Sequence, residues 1–361
     1  MIPQIQPWID HEELEQLQRV ISSTFVTENQ LTAEFEARTR ELTGAKHAIT
    51  ITNGTMALYV ALKALGIKAG DEVIVPDLTF IATANAVIMA GGTPVFCDIR
   101  SDTFCIDVNK AESLISPRTK GIIPVHLYGQ SADMQEIVSF SATYNLFILE
   151  DAAQGVGVRF NGKHVGTFGT LGVLSYYGNK TITCGEGGIV LTDDDRLAKE
   201  IYRLKNHGRD AKGTFIHDHI GYNFSFTEMQ AAVGIAQMNK LNRIIERKRK
   251  IYERYVTELT GVPGFEPVYI DRRCDPVFWF TSFLVKDAEK VADFLREKEI
   301  QTRRFFYPLH LQPCYKDLDL NPINFKTTED IFKRGLSLPS SYQLSESEQS
   351  FIIDSIKEFR Q

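Results

Sequence analysis

No apolar run in these 361 residues approaches the ~20 needed to cross a bilayer, so no membrane role is expected. Glycine fingerprints are missing too. No Gly-x-Gly-x-x-Gly follows the first strand-like run and no Gly-x4-Gly-Lys-Ser/Thr spacing occurs, which argues against a dinucleotide-binding dehydrogenase and a Walker phosphate loop. Cysteine is scarce and odd in number. Cys97, Cys105, Cys184, Cys274 and Cys314 are scattered, and no two have zinc-ligand spacing. Free thiols in a reducing cytoplasm are the expectation. Positive charge is in deficit: the net charge of -6 gives no reason to expect a nucleic acid or an anionic membrane as partner. The start, MIPQIQPWIDHEELEQ, has no basic segment followed by an apolar one, so no secretion signal is expected. His217-Asp218-His219 has no further ligands nearby and reads as a polar loop, not a metal site.

What is present is a strand–helix alternation. Strands are expected at 48–52, 72–76, 94–97, 121–125, 146–149 and 188–191, and helices at 55–65, 81–90 and 134–144. The strands are apolar on both faces, as in Glu72-Val73-Ile74-Val75-Pro76, which argues an α/β fold with a mainly parallel, covered sheet. Ligands then bind beyond the carboxyl ends of the strands. After residue 230 the character changes. A long charged helix over 229–258 contains Glu246-Arg247-Lys248-Arg249-Lys250, read as a solvated face. A strand over 278–285 and helices over 288–297 and 345–359 follow, suggesting a smaller α+β unit. The length is too great for one compact core, and two domains are expected, 1–240 and 241–361.

The chemistry gathers in three places. Lys180 lies on a glycine-bounded loop, in LSYYGNKTITCGEGG. About thirty residues upstream an apolar run ends in Glu150-Asp151, followed by Gln154. A loop lysine with a strand-end aspartate is the pair that pyridoxal phosphate (PLP) requires: the lysine forms a Schiff base with the aldehyde, and the aspartate keeps the ring nitrogen protonated. Thr52-Asn53-Gly54-Thr55 lies between a strand and a helix, where free amides and a hydroxyl suit a phosphate. An Asn/Thr helix cap would look the same. Ser175 ends a strand-like run and can donate to the same phosphate. Phe80, after the strand ending at Pro76, can stack on a flat ring or pack in the core.

These blocks resemble, from end to end, the sugar aminotransferases of the DegT/DnrJ/EryC1/StrS family, which have the aspartate aminotransferase fold (PLP fold type I). The resemblance is carried by TNGTMAL at Thr52, PDLTFIATANAV at Pro76, EDAAQGVG at Glu150, the Lys180 segment, GYNFSFTEMQAAVG at Gly221 and FYPLHLQP at Phe306. It implies Lys180 as Schiff-base lysine and proton shuttle, Asp151 on the pyridinium nitrogen and Gln154 on the phenolic oxygen. It further implies Phe80 stacked on the ring, Gly54, Thr55 and Ser175 on the phosphate, and Asn223 reaching the phosphate of a neighbouring subunit. A homodimer with shared active sites is thereby expected. His310 resembles a residue lining the substrate side, although a structural histidine in a Pro-rich loop fits equally. Some family members carry histidine in place of the lysine and remove a hydroxyl; Lys180 implies transamination instead. One departure stands out: Ser225 replaces the usual arginine of GYNxR, bearing on the acceptor pocket.

The resemblance implies L-glutamate as amino donor and a keto sugar as acceptor. A GDP-linked 4-keto-6-deoxy sugar, as in GDP-perosamine synthases, comes first. The 8-keto form of the octulosonic acid Kdo, giving Kdo8N, is the alternative. Either leads to amino sugars for lipopolysaccharide or other surface polysaccharide. A non-catalytic PLP-binding regulator is the expectation of a different class.

Overall fold

The computed structural model describes residues 1–210, 213, 215–318 and 324–359. Its centre is a seven-stranded sheet. The strands in chain order are β1 His47–Ile51, β2 Glu72–Pro76, β3 Thr93–Cys97, β4 Thr119–Ile122, β5 Phe147–Asp151, β6 Leu171–Ser175 and β7 Gly188–Thr192. They lie side by side as β1-β7-β6-β5-β4-β2-β3. Five of them, from β6 to β3, are parallel, and β7 and β1 close the edge antiparallel. Every residue of β2, β6 and β7 is buried, as the uninterrupted apolar runs require of strands covered on both faces. One covering helix, Gly54–Ala64, carries six consecutive buried residues from Ala57 to Leu62.

The strand expected at 146–149 runs to Asp151, which brings both acids into the sheet. The strand expected from 278 begins only at Thr281. The residues before it, Val277 to Phe280, form a buried connection in which Val277 N–H donates to Gly129 O at 3.1 Å.

The charged stretch after 228 is one helix, Glu228–Leu259, about 48 Å long at 1.5 Å per residue. Thr227 and Gln230 form a capping box at its start. The solvated-face reading of its charge run needs a correction at Lys248, which points inward and is 3% exposed. A boundary at 240/241 falls inside this helix, and we propose that the two units share it as a strut. Beyond it, β8 Phe265–Pro267, β9 Thr281–Val285, β10 Arg303–Arg304 and β11 Gly335–Leu338 form a four-stranded sheet in the order β8-β9-β11-β10. Its core contains Ile251, Tyr255, Phe283, Val291, Leu336 and Ile352. Among the described residues, no helix is long and apolar enough to cross a membrane.

Candidate active site

Asp151 is the last residue of β5, and its side chain emerges at the carboxyl end of the sheet. It is buried. Its Oδ2 accepts from Thr83 Oγ1 at 2.7 Å and its Oδ1 from Ala153 N–H at 3.2 Å. Burial pushes its pKa up, against the pull of these bonds and of Lys180 and His126. Such a carboxylate is a ready partner for a cation entering the site.

Glu150 points to the opposite side of the strand and organises the adjoining loop. Fully buried, it accepts from the backbone N–H groups of Gly166, Phe168 and Gly169 at 2.6–2.7 Å and lies 2.9 Å from His126 Nε2. The carboxylate next to Asp151 is therefore held by four hydrogen-bond partners.

Gln154 is oriented by Tyr128. The Tyr128 N–H donates to Gln154 Oε1 at 2.6 Å. That end of the amide must be oxygen, so the NH2 end is the one turned to other partners, a donor suited to a phenolic oxygen. Tyr128 is held by its left-handed backbone (φ 53°) and by accepting from Phe306 N–H at 3.0 Å. Phe306 stands 5.9 Å from Phe80, whose ring is 54% exposed and free to cover a ligand.

Lys180 follows β6 by five residues, and its N–H donates to Tyr177 O at 2.9 Å. The side chain is half-buried, and Nζ lies 4.3 Å from the centroid of Trp279. Burial lowers its pKa to about 8, with Asp151 opposing the shift and Arg303 adding to it. A substantial fraction is then neutral near physiological pH, as a nucleophile or proton acceptor needs.

Gly54 opens the helix Gly54–Ala64, where Asn53 accepts from Met56 N–H at 2.9 Å. The first intrahelical bond runs from Ala57 N–H to Asn53 O, which leaves the amides of Gly54 and Thr55 for a ligand. A Cβ built on Gly54 would lie 3.0 Å from Ser175 Cβ and 3.1 Å from its Oγ. Backbone amides and the Ser175 hydroxyl thus adjoin in a cradle that any side chain would invade. Helix terminus, small cradle, orientable amide and buried carboxylate fit the phosphate, phenolic oxygen and ring nitrogen of PLP.

The other expected residues make contacts of their own, and Phe224, between Asn223 and Ser225, accepts from Thr52 N–H at 3.2 Å. Asn223 is exposed, and its Oδ1 accepts from Ser225 N–H at 3.4 Å. Ser225 is half-buried. His310 is engaged structurally: its N–H donates to Asp77 Oδ1 at 2.8 Å, its Nδ1 lies 2.6 Å from Asp77 Oδ2, and its ring stacks on Phe325 at 4.4 Å. Burial alone would lower its pKa, but the Asp77 carboxylate raises it. His217, Asp218 and His219 are exposed, and no three metal donors cluster among the described residues. Sequence reasoning missed Thr83, Glu150, Tyr128 and Trp279 as neighbours of the site. Thr83 falls in the quoted block PDLTFIATANAV, and Glu150 in EDAAQGVG. Nothing local marks Trp279.

Known proteins resemble this chain in sequence and in fold. Residues 7–357 match the DegT/DnrJ/EryC1/StrS aminotransferase family. The chain is 39% identical to the GDP-perosamine synthase of Escherichia coli O157:H7, across 99% of this chain and 98% of that protein. It is 36% identical to the Vibrio cholerae GDP-perosamine synthase, across 99% of both. The crystal structure of S. venezuelae DesV in complex with a ketimine intermediate superposes with a TM-score of 0.91 at 32% identity, covering 96% of this chain and 94% of that one. By sequence and fold alike, this chain belongs to the DegT/DnrJ/EryC1/StrS family and is a PLP-dependent sugar aminotransferase.

Proposed function

We propose that the enzyme moves the amino group of L-glutamate onto a GDP-linked 4-keto-6-deoxy sugar, forming a perosamine-type amino sugar for surface polysaccharide. The observation that carries the acceptor is the end-to-end likeness to GDP-perosamine synthases. When bound, PLP supplies an aldehyde that exchanges amines and a ring that withdraws electrons. The roles of the chain's own residues follow from their chemistry. Asp151, buried and with no ion pair among the described residues, pairs with the protonated ring nitrogen. Gln154 donates its NH2 to the phenolic oxygen. Gly54, Thr55 and Ser175 hold the phosphate with amides and a hydroxyl. Phe80 covers the ring. Lys180 Nζ takes a proton from the donor's α-carbon and returns it on the other side of the transfer, as a positioned base and acid.

The same reading makes the working unit a homodimer, in which Asn223, exposed on one protomer, serves the phosphate of its partner. Ser225, lacking the family's usual arginine, shapes the acceptor pocket. Five free cysteines, four of them buried, suit a cytoplasmic setting. Lys180→Ala should reduce turnover by about 10²–10⁴-fold, the range of a positioned acid–base group. Retained turnover in that variant would remove Lys180 from the mechanism.

A further inference from the structure

Among the described residues three lysines are buried on long-range contacts, and they differ in one respect. Lys205 meets Glu28 at 2.9 Å, and Lys240 meets Asp10 and Glu13 at 2.7 and 2.8 Å. Lys248 meets no carboxylate within ion-pair distance among the described residues. Its Nζ donates to two backbone carbonyls, Trp279 O and Ser340 O, each at 3.0 Å. Burying an amine without a counter-charge costs stability, and an apolar side chain of similar length would avoid that cost. What Lys248 provides is a fixed position for the two chain segments that it joins.

One of those segments carries Trp279. Its indole Nε1–H donates to Asn179 O at 2.6 Å, so the ring is tied to the residue preceding Lys180. Phe280 stacks behind it, with centroids 3.8 Å apart. Val277, two residues before, is bonded to Gly129, the neighbour of Tyr128 that orients Gln154. With the indole 2% exposed and tethered at both its nitrogen and its carbonyl, its face is offered to Lys180 Nζ at 4.3 Å. An aromatic face attracts an ammonium and has little to offer a neutral amine.

We propose that Trp279 is a positioning residue for Lys180, its indole face holding the lysine ammonium whenever Nζ is not bonded to cofactor, and that Lys248 is the strut that fixes Trp279 from behind. The inference rests on Lys180 being the proton-transferring lysine of the proposed reaction. Lys180 becomes charged each time it accepts a proton. Trp279 stabilises that charged form and keeps it beside the reacting carbon instead of letting it turn toward solvent.

The chain has two tryptophans, and Trp8→Phe leaves Trp279 as the sole indole. The first test follows Trp279 emission in the full-length, cofactor-free chain from pH 6 to 10. Among the described residues the charged groups that reach Lys180 are Asp151 and Arg303, and Lys248 bonds to the Trp279 carbonyl. Emission should change as the pH crosses about 8, and the change should vanish in Lys180→Met while surviving in Lys248→Met. A transition that persists in Lys180→Met overturns the proposal. The second test is kinetic, on the cofactor-loaded enzyme. Trp279→Leu should slow conversion by L-glutamate about tenfold with the donor KM nearly unchanged, and Trp279→Phe, which keeps a π face, should recover most of the loss. Lys248→Met should red-shift Trp279 emission and slow the same step. Unchanged rates in Trp279→Leu, or a rise in KM that accounts for the loss, contradict it. If wild-type protein is not converted by L-glutamate at all, the donor assignment fails, while the fluorescence titration still judges the Trp279 contact.

Discussion

Burial shifts Asp151 and Lys180 in opposite directions, the carboxyl pKa up and the amine pKa down, and so favours the neutral form of each. The aspartate is pushed toward its neutral form and therefore gains most from an incoming cation. The lysine is pulled toward its neutral, nucleophilic form near pH 8. Cofactor uptake by the cofactor-free chain should therefore slow about tenfold for each pH unit below 8, as the protonated fraction grows. Stopped-flow growth of the visible PLP band against pH checks this; a flat profile would contradict it. Asp151→Asn keeps the shape and the Thr83 contact but removes the charge, and should lower kcat by about 10²-fold or more while the protein still binds PLP. Lys248 gives a stability signature with a definite sign. Burial lowers its pKa to about 7 from the ordinary 10.5, so between those values the unfolded chain binds the extra proton and stability rises with pH. The stability difference between wild type and Lys248→Met, from urea titrations at pH 7 and 10, should shift toward wild type at the higher pH. These residue-scale details were the least legible in the sequence. Lys180, Asp151 and Gln154 announce themselves by type and position. Thr83 and Trp279 become neighbours of the site only through folding, across 68 and 100 residues of chain.

At the scale of elements, the site is a set of strand ends and one helix start. The parallel strands were readable because strands buried on both faces need unbroken apolar runs, as β2 shows. The strand ends were less so: β5 extends to Asp151 although its last two residues are charged, because Glu150 is paid for by three backbone amides and His126. A local pattern carries no sign of such distant partners. The inward turn of Lys248 was hidden for the same reason, since a charge run looks solvated until the elements packed on it are known. The helix start makes a sharp prediction. Gly54→Ala places a methyl 3.0 Å from Ser175 Cβ, inside the phosphate cradle, and should weaken PLP binding about tenfold or more while leaving far-UV circular dichroism unchanged. Equal affinity in a fluorescence titration would move the phosphate elsewhere. His310 and Asp77 tie the 309–311 turn to the end of β2. His310→Ala leaves the buried Asp77 Oδ2 without its ring partner and should lower stability by about 1–3 kcal/mol, read by urea denaturation.

At the scale of the whole molecule, the fold and family follow from the full length of the chain, while the assembly and the acceptor are the parts to be tested. Sharing of sites between subunits has a direct readout. Lys180→Ala and Asn223→Ala chains, inactive or weak alone, should recover about a quarter of wild-type activity when mixed and reassociated, since half the dimers are hybrids with one intact site of two. No recovery would confine each site to its own chain. The acceptor decides the account as a whole. Purified enzyme is converted with L-glutamate, freed of excess donor, and its visible PLP band is followed as each keto sugar is added. Return of the band with the GDP-linked 4-keto-6-deoxy sugar is the predicted result. Return only with the 8-keto octulosonate would contradict the perosamine-type assignment and point to the Ser225 region as a pocket adapted to a free sugar acid.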